Sequence, residues 1–133
     1  MKQQEITLCG KLVTLGYCYA TEIAYTDMTG EDIQDFMQKA VTAVNAETPR
    51  MPNPKKAIYA ILACLLAYYQ SKDEEAPVKD TDLMNDITPQ ELGTAIGTII
   101  GLRTQFYRLP DSEQKAAERE QAKNKGKGRK AKN

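Results

Sequence analysis

The amino-acid sequence predicts an α+β fold that is mainly α, with an N-terminal β-hairpin followed by a small helical bundle. Two observations support this prediction. Apolar and polar side chains alternate over much of residues 5–17, as in strands that are buried on one face. Further along, apolar residues recur at helical spacing, and residues 57–69 are apolar on every side of a helix.

The charge distribution divides the chain into two parts. Residues 1–110 hold ten basic and fourteen acidic side chains, whereas residues 111–133 hold eight basic and four acidic ones. From residue 121 onward there are six basic side chains, no acidic one, and no apolar residue larger than Ala. We expect a single folded domain over residues 1–110, with the hairpin at about 5–17 and helices at about 18–108. Residues 111–133 are expected to form a disordered basic tail.

The first element is a hairpin with a two-residue turn at residues 10 and 11. Gly10 at the first turn position suits type II′, in which that residue has a positive φ. The turn places four apolar residues on one face in two cross-strand pairs: Leu8 with Val13, and Ile6 with Leu15. Because an isolated hairpin is marginally stable in water, this face must pack on the helices.

Two helices are expected before the first proline-rich segment. Residues 18–25 predict a short helix that ends near Thr26. Thr29 and Asp32 then have the spacing of a capping box, with Thr29 as the N-cap of the next helix. That helix carries one apolar stripe at helical spacing. The members of the stripe are Ile33, Phe36, Met37, Ala40, Val41 and Val44.

Asn53 and Pro54 predict the start of a third helix, because Asn caps helices well and Pro suits the first helical position. This helix should run to about Tyr69 and, since it lacks a polar face, should be central. Residues 71–80 are polar and predict a loop. One helical turn is expected from Asp82.

The last helix has the clearest start. Thr88 is its expected N-cap, Pro89 its first residue and Glu91 its third, and it should run to about Arg108. The expected core draws on the hairpin and the three long helices. Its predicted members are Ile6, Leu8, Val13, Leu15, Ile33, Phe36, Met37, Val41, Ile58, Ile61, Leu62, Leu65, Leu92, Ile96, Ile99 and Phe106.

The composition excludes several kinds of catalytic and metal site. The chain has no His, so it cannot form Ser-His-Asp triads, Cys-His pairs or His-based metal sites. Cys9, Cys18 and Cys64 show no CxxC spacing, and no glycine-rich nucleotide-binding motif is present. We therefore expect no enzymatic activity, no cofactor and no bound metal. The odd cysteine count and the lack of an apolar leader indicate a cytoplasmic protein.

Three glycines follow one side of the last helix. Gly93, Gly97 and Gly101 are spaced by four residues, and each costs about 1 kcal/mol relative to Ala in a helix interior. Three on one line indicate that another backbone approaches closely. The neighbour is either a helix of the same chain or a partner helix or subunit.

The chain has seven tyrosines, and five of them lie in two groups. Tyr17, Tyr19 and Tyr25 follow the hairpin, and Tyr68 and Tyr69 end the central helix. Tyr is enriched at interfaces because its ring is apolar and its tip is polar. These five tyrosines, with the three glycines, are the candidate partner-binding residues. Packing at the edge of the core is the alternative for the tyrosines.

The stretch ITLCGKLVTLGYCYATEI, residues 6–23, resembles the opening of tail assembly chaperones of long-tailed bacteriophages. Those proteins begin with a strand, a Gly-Lys or similar turn, a second strand ending in an aromatic residue, and a helix with a Glu. TGEDI at residues 29–33 and the alternation of helices with acidic loops add to the resemblance, which covers about residues 5–109. The wider sequence is similar to prophage proteins of gut Bacteroidales.

The resemblance implies a non-enzymatic protein that binds the tape measure protein and helps recruit tail tube subunits. A mostly helical domain suits an amphipathic partner helix bound in a groove. The alternatives are a structural virion or head–tail connector component, a nucleic-acid-binding accessory protein acting through the basic tail, and a small enzyme using carboxylates or Cys18. Nucleic acid is the less expected partner, because the body is acidic and the tail lacks aromatic residues. No membrane is expected, and self-association is left open.

Overall fold

The computed structural model describes residues 1–44 and 53–108 and has the predicted class, a β-hairpin followed by helices. Its elements in chain order are β1 (Lys2–Leu8), β2 (Lys11–Tyr17), α1 (Tyr19–Thr29), α2 (Ile33–Val44), α3 (Pro54–Ser71), α4 (Asp80–Asp86) and α5 (Pro89–Tyr107). The predicted domain end at residue 110 and the predicted disorder of residues 111–133 lie outside the described residues.

β1 and β2 form an antiparallel hairpin, but the predicted register is wrong by two residues. Leu8 pairs with Lys11 instead of Val13. Val13 pairs with Ile6, and Leu15 lies opposite a glutamine. A shift of two leaves each side chain on its expected face, because the side-chain period of a strand is two. Leu8, Val13 and Leu15 are therefore buried as predicted, although their cross-strand partners differ.

The register differs because the turn consists of Cys9 and Gly10. Their φ angles are 51° and 76°, the two positive values of a type I′ turn. A left-handed backbone is unfavourable for Cys, so local propensity does not predict this turn. Two contacts from outside the hairpin hold it in place. The Cys9 N–H donates to Glu91 Oε2 at 2.9 Å, and the Cys9 thiol donates to the Asp82 carbonyl oxygen at 3.5 Å.

The predicted boundary between the first two helices is also wrong. Thr29 is the last residue of α1, not the N-cap of α2, and Gly30 ends α1 with a left-handed φ of 75°. The Thr29 hydroxyl donates to the Tyr25 carbonyl oxygen at 2.8 Å, within its own helix. The Asp32 carboxylate accepts a hydrogen bond from the Gln34 N–H at 2.9 Å. Asp32 therefore satisfies one of the first backbone donors of α2.

α3 is the central helix, as predicted. It begins at Pro54, and Asn53 Oδ1 accepts a hydrogen bond from the Lys56 N–H at 3.1 Å, as an N-cap does. α3 packs mainly on β2 and α1. Gly16 of β2 permits close approach, since a Cβ there would lie 3.0 Å from the Tyr68 Cβ. The buried residues of α3 are Ala57, Ile58, Ala60, Ile61, Ala63, Cys64, Leu65, Ala67 and Tyr69.

α4 and α5 bring the chain back to the hairpin turn. The turn predicted at Asp82 is part of the short helix α4. The capping box of α5 is confirmed: the Glu91 N–H donates to Thr88 Oγ1, and the Thr88 N–H donates to Glu91 Oε1, each at 3.1 Å. The second carboxylate oxygen of Glu91 accepts the Cys9 N–H. One carboxylate therefore joins the start of α5 to the hairpin.

The core contains most of the predicted residues. The prediction is confirmed for Leu8, Val13, Leu15, Ile33, Phe36, Met37, Ile58, Ile61, Leu65, Leu92, Ile96 and Ile99, which are buried, while Ile6, Leu62 and Phe106 are partly buried. It is wrong for Val41, which is 42% exposed and lines an open groove between α2 and α5. The apolar stripe of α2 is thus wider than the face that the helix buries. Residues not predicted include Tyr17, Tyr25, Val78, Leu83 and Leu102.

Candidate partner-binding surfaces

The five candidate tyrosines do not form one surface. Tyr17 and Tyr25 are fully buried and Tyr69 is 9% exposed, so these three pack in the core and present no surface to a partner. The Tyr69 hydroxyl has a partner inside, because it accepts the backbone N–H of buried Thr14 at 3.1 Å. Only Tyr19, at 62%, is largely exposed, and Tyr68 is half-buried.

Glu22 on α1 holds hydroxyl groups from two other elements. Its Oε2 accepts a hydrogen bond from the Tyr17 hydroxyl at 2.8 Å, and its Oε1 accepts one from the Tyr107 hydroxyl at 2.6 Å. Arg103 Nε lies 3.8 Å from Oε2 and has no hydrogen-bond partner among the described residues. The pKa of Tyr17 is raised mainly by burial and also by its hydrogen bond to Glu22. The hydrogen bond from Tyr107 to Glu22 is the main cause that raises the pKa of Tyr107 to about 12. Both phenols stay protonated and tie β2 and α5 to α1.

Aromatic rings surround this cluster. The Phe106 ring lies edge-on to the rings of Tyr19 and Tyr107, with centroids 5.0 Å apart in both pairs. The Arg103 guanidinium lies 5.0 Å from the centroid of the Tyr107 ring. Tyr107 was not among the predicted candidates, although its spacing of four from Arg103 places both on one face of α5. At 48% exposed, Tyr107 extends the surface that begins at Tyr19.

Gly93, Gly97 and Gly101 lie on the exposed side of α5. A Cβ built at any of the three would meet no atom within 4 Å. Over the described residues, the prediction that a helix of the same chain packs on this line is therefore wrong. α5 instead buries its opposite side, which includes Ile96 and Ile99. The alternative, a partner helix or subunit on the glycine line, stays a prediction.

An open apolar groove of about 380 Å³ runs beside the second half of α3. Its apolar walls are formed by Leu62, Leu65, Leu66 and Tyr69 of α3 and by Ala76 and Val78 of the segment that precedes α4. Leu66 is 39% exposed there, and Glu74 and Glu75 also line the groove. Concave apolar grooves of this kind bind the apolar face of amphipathic helices. Sequence reasoning missed Leu66 because a helix that is apolar all round gives no sign of which side stays open.

Two of the three thiols are poorly suited to nucleophilic chemistry. All three cysteines are free. Burial raises the pKa of the Cys64 thiol, and burial together with Glu91 raises that of Cys9. The reactive thiolate is disfavoured at both positions. Within residues 1–44 and 53–108, no group of three Cys, Asp or Glu side chains is arranged to hold a metal ion.

Two further observations bear on the surfaces of the chain. None of the helices in the described ranges has both the length and the apolar character needed to cross a bilayer. No protein-family model, no curated protein and no solved structure matches the chain.

Proposed function

We propose that this chain is a non-enzymatic tail assembly chaperone of long-tailed bacteriophages, which binds the tape measure protein and helps recruit tail tube subunits. The resemblance of residues 5–109 suggests the family, and the apolar groove beside α3 is the observation that carries the proposal. Such a chaperone covers apolar side chains of a long, aggregation-prone partner, so it needs an accessible apolar surface of its own.

The side chains that line the groove favour a particular kind of partner segment. Leu66 offers exposed apolar surface, so the partner needs a row of apolar side chains at helical spacing. Glu74 and Glu75 line the groove with one basic residue, Lys79, and this excess of acidic side chains favours Lys or Arg on the flanks of that row. The expected ligand is therefore an amphipathic helix of the tape measure protein with a basic polar face.

Co-expression of the chain with the tape measure protein of the same phage tests the proposal. We expect the tape measure protein to stay in the soluble fraction and to co-purify with the chain. Leu66→Glu places a charge in the apolar groove and should lower the co-purified amount by about tenfold or more. The control is Leu12→Glu on β2, where the side chain is 64% exposed and lies outside the groove. This control should retain the partner.

Three results would count against the proposal. Failure of the unchanged chain to co-purify with the tape measure protein would overturn it. Equal loss with Leu66→Glu and Leu12→Glu would remove the groove as the binding site. Detection of the chain in purified phage particles would favour the alternative of a structural virion or head–tail connector component.

A further inference from the structure

The outward face of α1 carries apolar side chains that the described residues leave largely exposed. Tyr19 and Ile23, one helical turn apart, are 62% and 61% exposed. Together with Glu22, Thr26, Asp27 and Asp32 they line an open depression of about 380 Å³, which we call the α1 surface. It lies beside the aromatic cluster that includes Tyr107 and is separate from the groove beside α3.

The acidic side chains of the α1 surface favour a cationic occupant. Asp27 and Asp32 form no ion pair with any described residue. Glu22 is different, because it already accepts two phenol hydroxyls and lies near Arg103. An exposed Tyr ring also attracts Lys and Arg through its negative face. Carboxylates and a tyrosine ring on one surface thus suit a segment rich in Lys and Arg.

The chain itself contains such a segment, and it follows α5, whose last residue lies beside the α1 surface. Tyr107, the last residue of α5, has its ring centroid 6.4 Å from that of Tyr19 and its hydroxyl on Glu22. Residues 108–133 follow directly, and all charged side chains from residue 121 onward are basic. An extended chain covers about 3.3 Å per residue, so residues 123–132 can reach the surface. Because the segment belongs to the same chain, its docking is an intramolecular step that does not depend on protein concentration.

We propose that the basic segment formed by residues 123–132 docks on the α1 surface of its own chain. Its Lys and Arg stems cover Tyr19 and Ile23, while their charged groups pair with Asp27 and Asp32. The segment has no apolar residue larger than Ala, which suits a shallow acidic surface better than the apolar groove beside α3. Docking on the α1 surface leaves that groove free for a partner.

Carbodiimide cross-linking of the full chain tests the proposal, because it joins Lys to Asp or Glu only when the two are in contact. An equal mixture of ¹⁴N-labelled and ¹⁵N-labelled chains distinguishes links within one chain from links between two. We expect single-chain links from lysines 123–132 to Asp27 and Asp32, at least about fivefold more abundant than links to Glu74 and Glu75. Raising NaCl from 50 to 500 mM should reduce them several-fold, since salt screens exposed ion pairs.

A matched pair of variants tests the specificity of the contact. Asp27→Asn is expected to lower the yield of links at Asp32 by about twofold or more, because it removes one of the charges that hold the segment. Glu74→Gln removes the same charge elsewhere and should leave that yield unchanged. Links that join ¹⁴N to ¹⁵N chains, links spread evenly over all exposed acids, or no links at all would each overturn the proposal.

Discussion

Glu22 is the residue on which the two phenols of the aromatic cluster depend. The Tyr17 hydroxyl is buried and donates to Glu22, so Glu22→Ala leaves this donor without its acceptor. A buried polar group without a partner costs about 1–3 kcal/mol. We expect Glu22→Ala to lower the free energy of unfolding by about that amount, measured by urea denaturation.

Tyr107→Phe is the control for Glu22→Ala. It removes the second hydrogen bond to Glu22, but the Tyr107 side chain is 48% exposed and water can replace the lost contact. The expected change in unfolding free energy is below about 0.5 kcal/mol. Equal losses from the two substitutions would show that burial of the Tyr17 hydroxyl does not determine the cost.

Glu91 is the residue that links stability to pH. Hydrogen bonds donated by the backbone N–H of Thr88 and, to a smaller extent, by the backbone N–H of Cys9 hold the pKa of Glu91 below its usual value of 4.5. A carboxylate with a lowered pKa stabilises the folded state above its unfolded pKa, and this contribution is lost as pH falls through the folded pKa. The urea midpoints of the unchanged chain and of Glu91→Gln should therefore differ most near pH 7. The difference should shrink below about pH 4.5.

The control for Glu91→Gln is Glu5→Gln. Glu5 lies on β1, is exposed, and makes no side-chain hydrogen bond to the described residues, so the substitution removes an equal charge without breaking a link. If the effect of Glu91→Gln were as large at pH 3 as at pH 7, the ionised carboxylate would not be the group that holds the hairpin turn to α5.

At the scale of the elements, the hairpin turn allows a test in which substitutions at two neighbouring residues should change the stability of the fold in opposite directions. Cys9 has a φ of 51°, and Asn-Gly is a preferred pair for type I′ turns. Cys9→Asn should therefore stabilise the fold by about 0.5–1 kcal/mol in thermal denaturation. Gly10→Ala, at a φ of 76°, should destabilise it by about 1–2 kcal/mol. In a turn at residues 10 and 11, residue 9 would be a strand residue and Asn would destabilise it.

The exposed side of α5 combines intrinsic instability with space for larger side chains. No atom of residues 1–44 and 53–108 lies within 4 Å of a Cβ at Gly93, Gly97 or Gly101, so Ala fits each position without strain. Each Gly→Ala substitution should raise the free energy of unfolding by about 0.5–1 kcal/mol. If a partner helix packs on the line of three glycines, the variant with Ala at all three positions will be more stable. It will nevertheless retain less tape measure protein in co-purification. A loss of stability would contradict the exposed placement of the line.

The elements also show what can be predicted from the sequence. The starts of α3 and α5 were predicted correctly because their caps and prolines act within one turn of chain. The turn at Cys9 was not, because its acceptor on Glu91 is 82 residues away. The burial of Tyr17 likewise depends on Glu22 and Phe106, which meet it only in the folded chain. The groove beside α3 was missed because hydropathy does not show which side of an apolar helix remains open.

At the scale of the whole molecule, a single hydrophobic cluster includes residues of the hairpin and of every helix in the described ranges. Ile61 of α3 is fully buried in it, so Ile61→Val should lower the free energy of unfolding by about 0.5–1.5 kcal/mol. Leu12→Ala, at a residue 64% exposed, should change it by less than about 0.5 kcal/mol.

Elements that share one hydrophobic core should unfold together. Ile61→Val should therefore shift the unfolding of all of them equally. The chain has seven Tyr and no Trp, so tyrosine fluorescence reports on side-chain packing around the tyrosines, while far-UV circular dichroism reports on the helical backbone. Both urea transitions should coincide in the unchanged chain and move to lower urea by the same amount in Ile61→Val. Transitions that separate would mean that side-chain packing and helical structure are lost in different steps, which would contradict cooperative unfolding of one shared core.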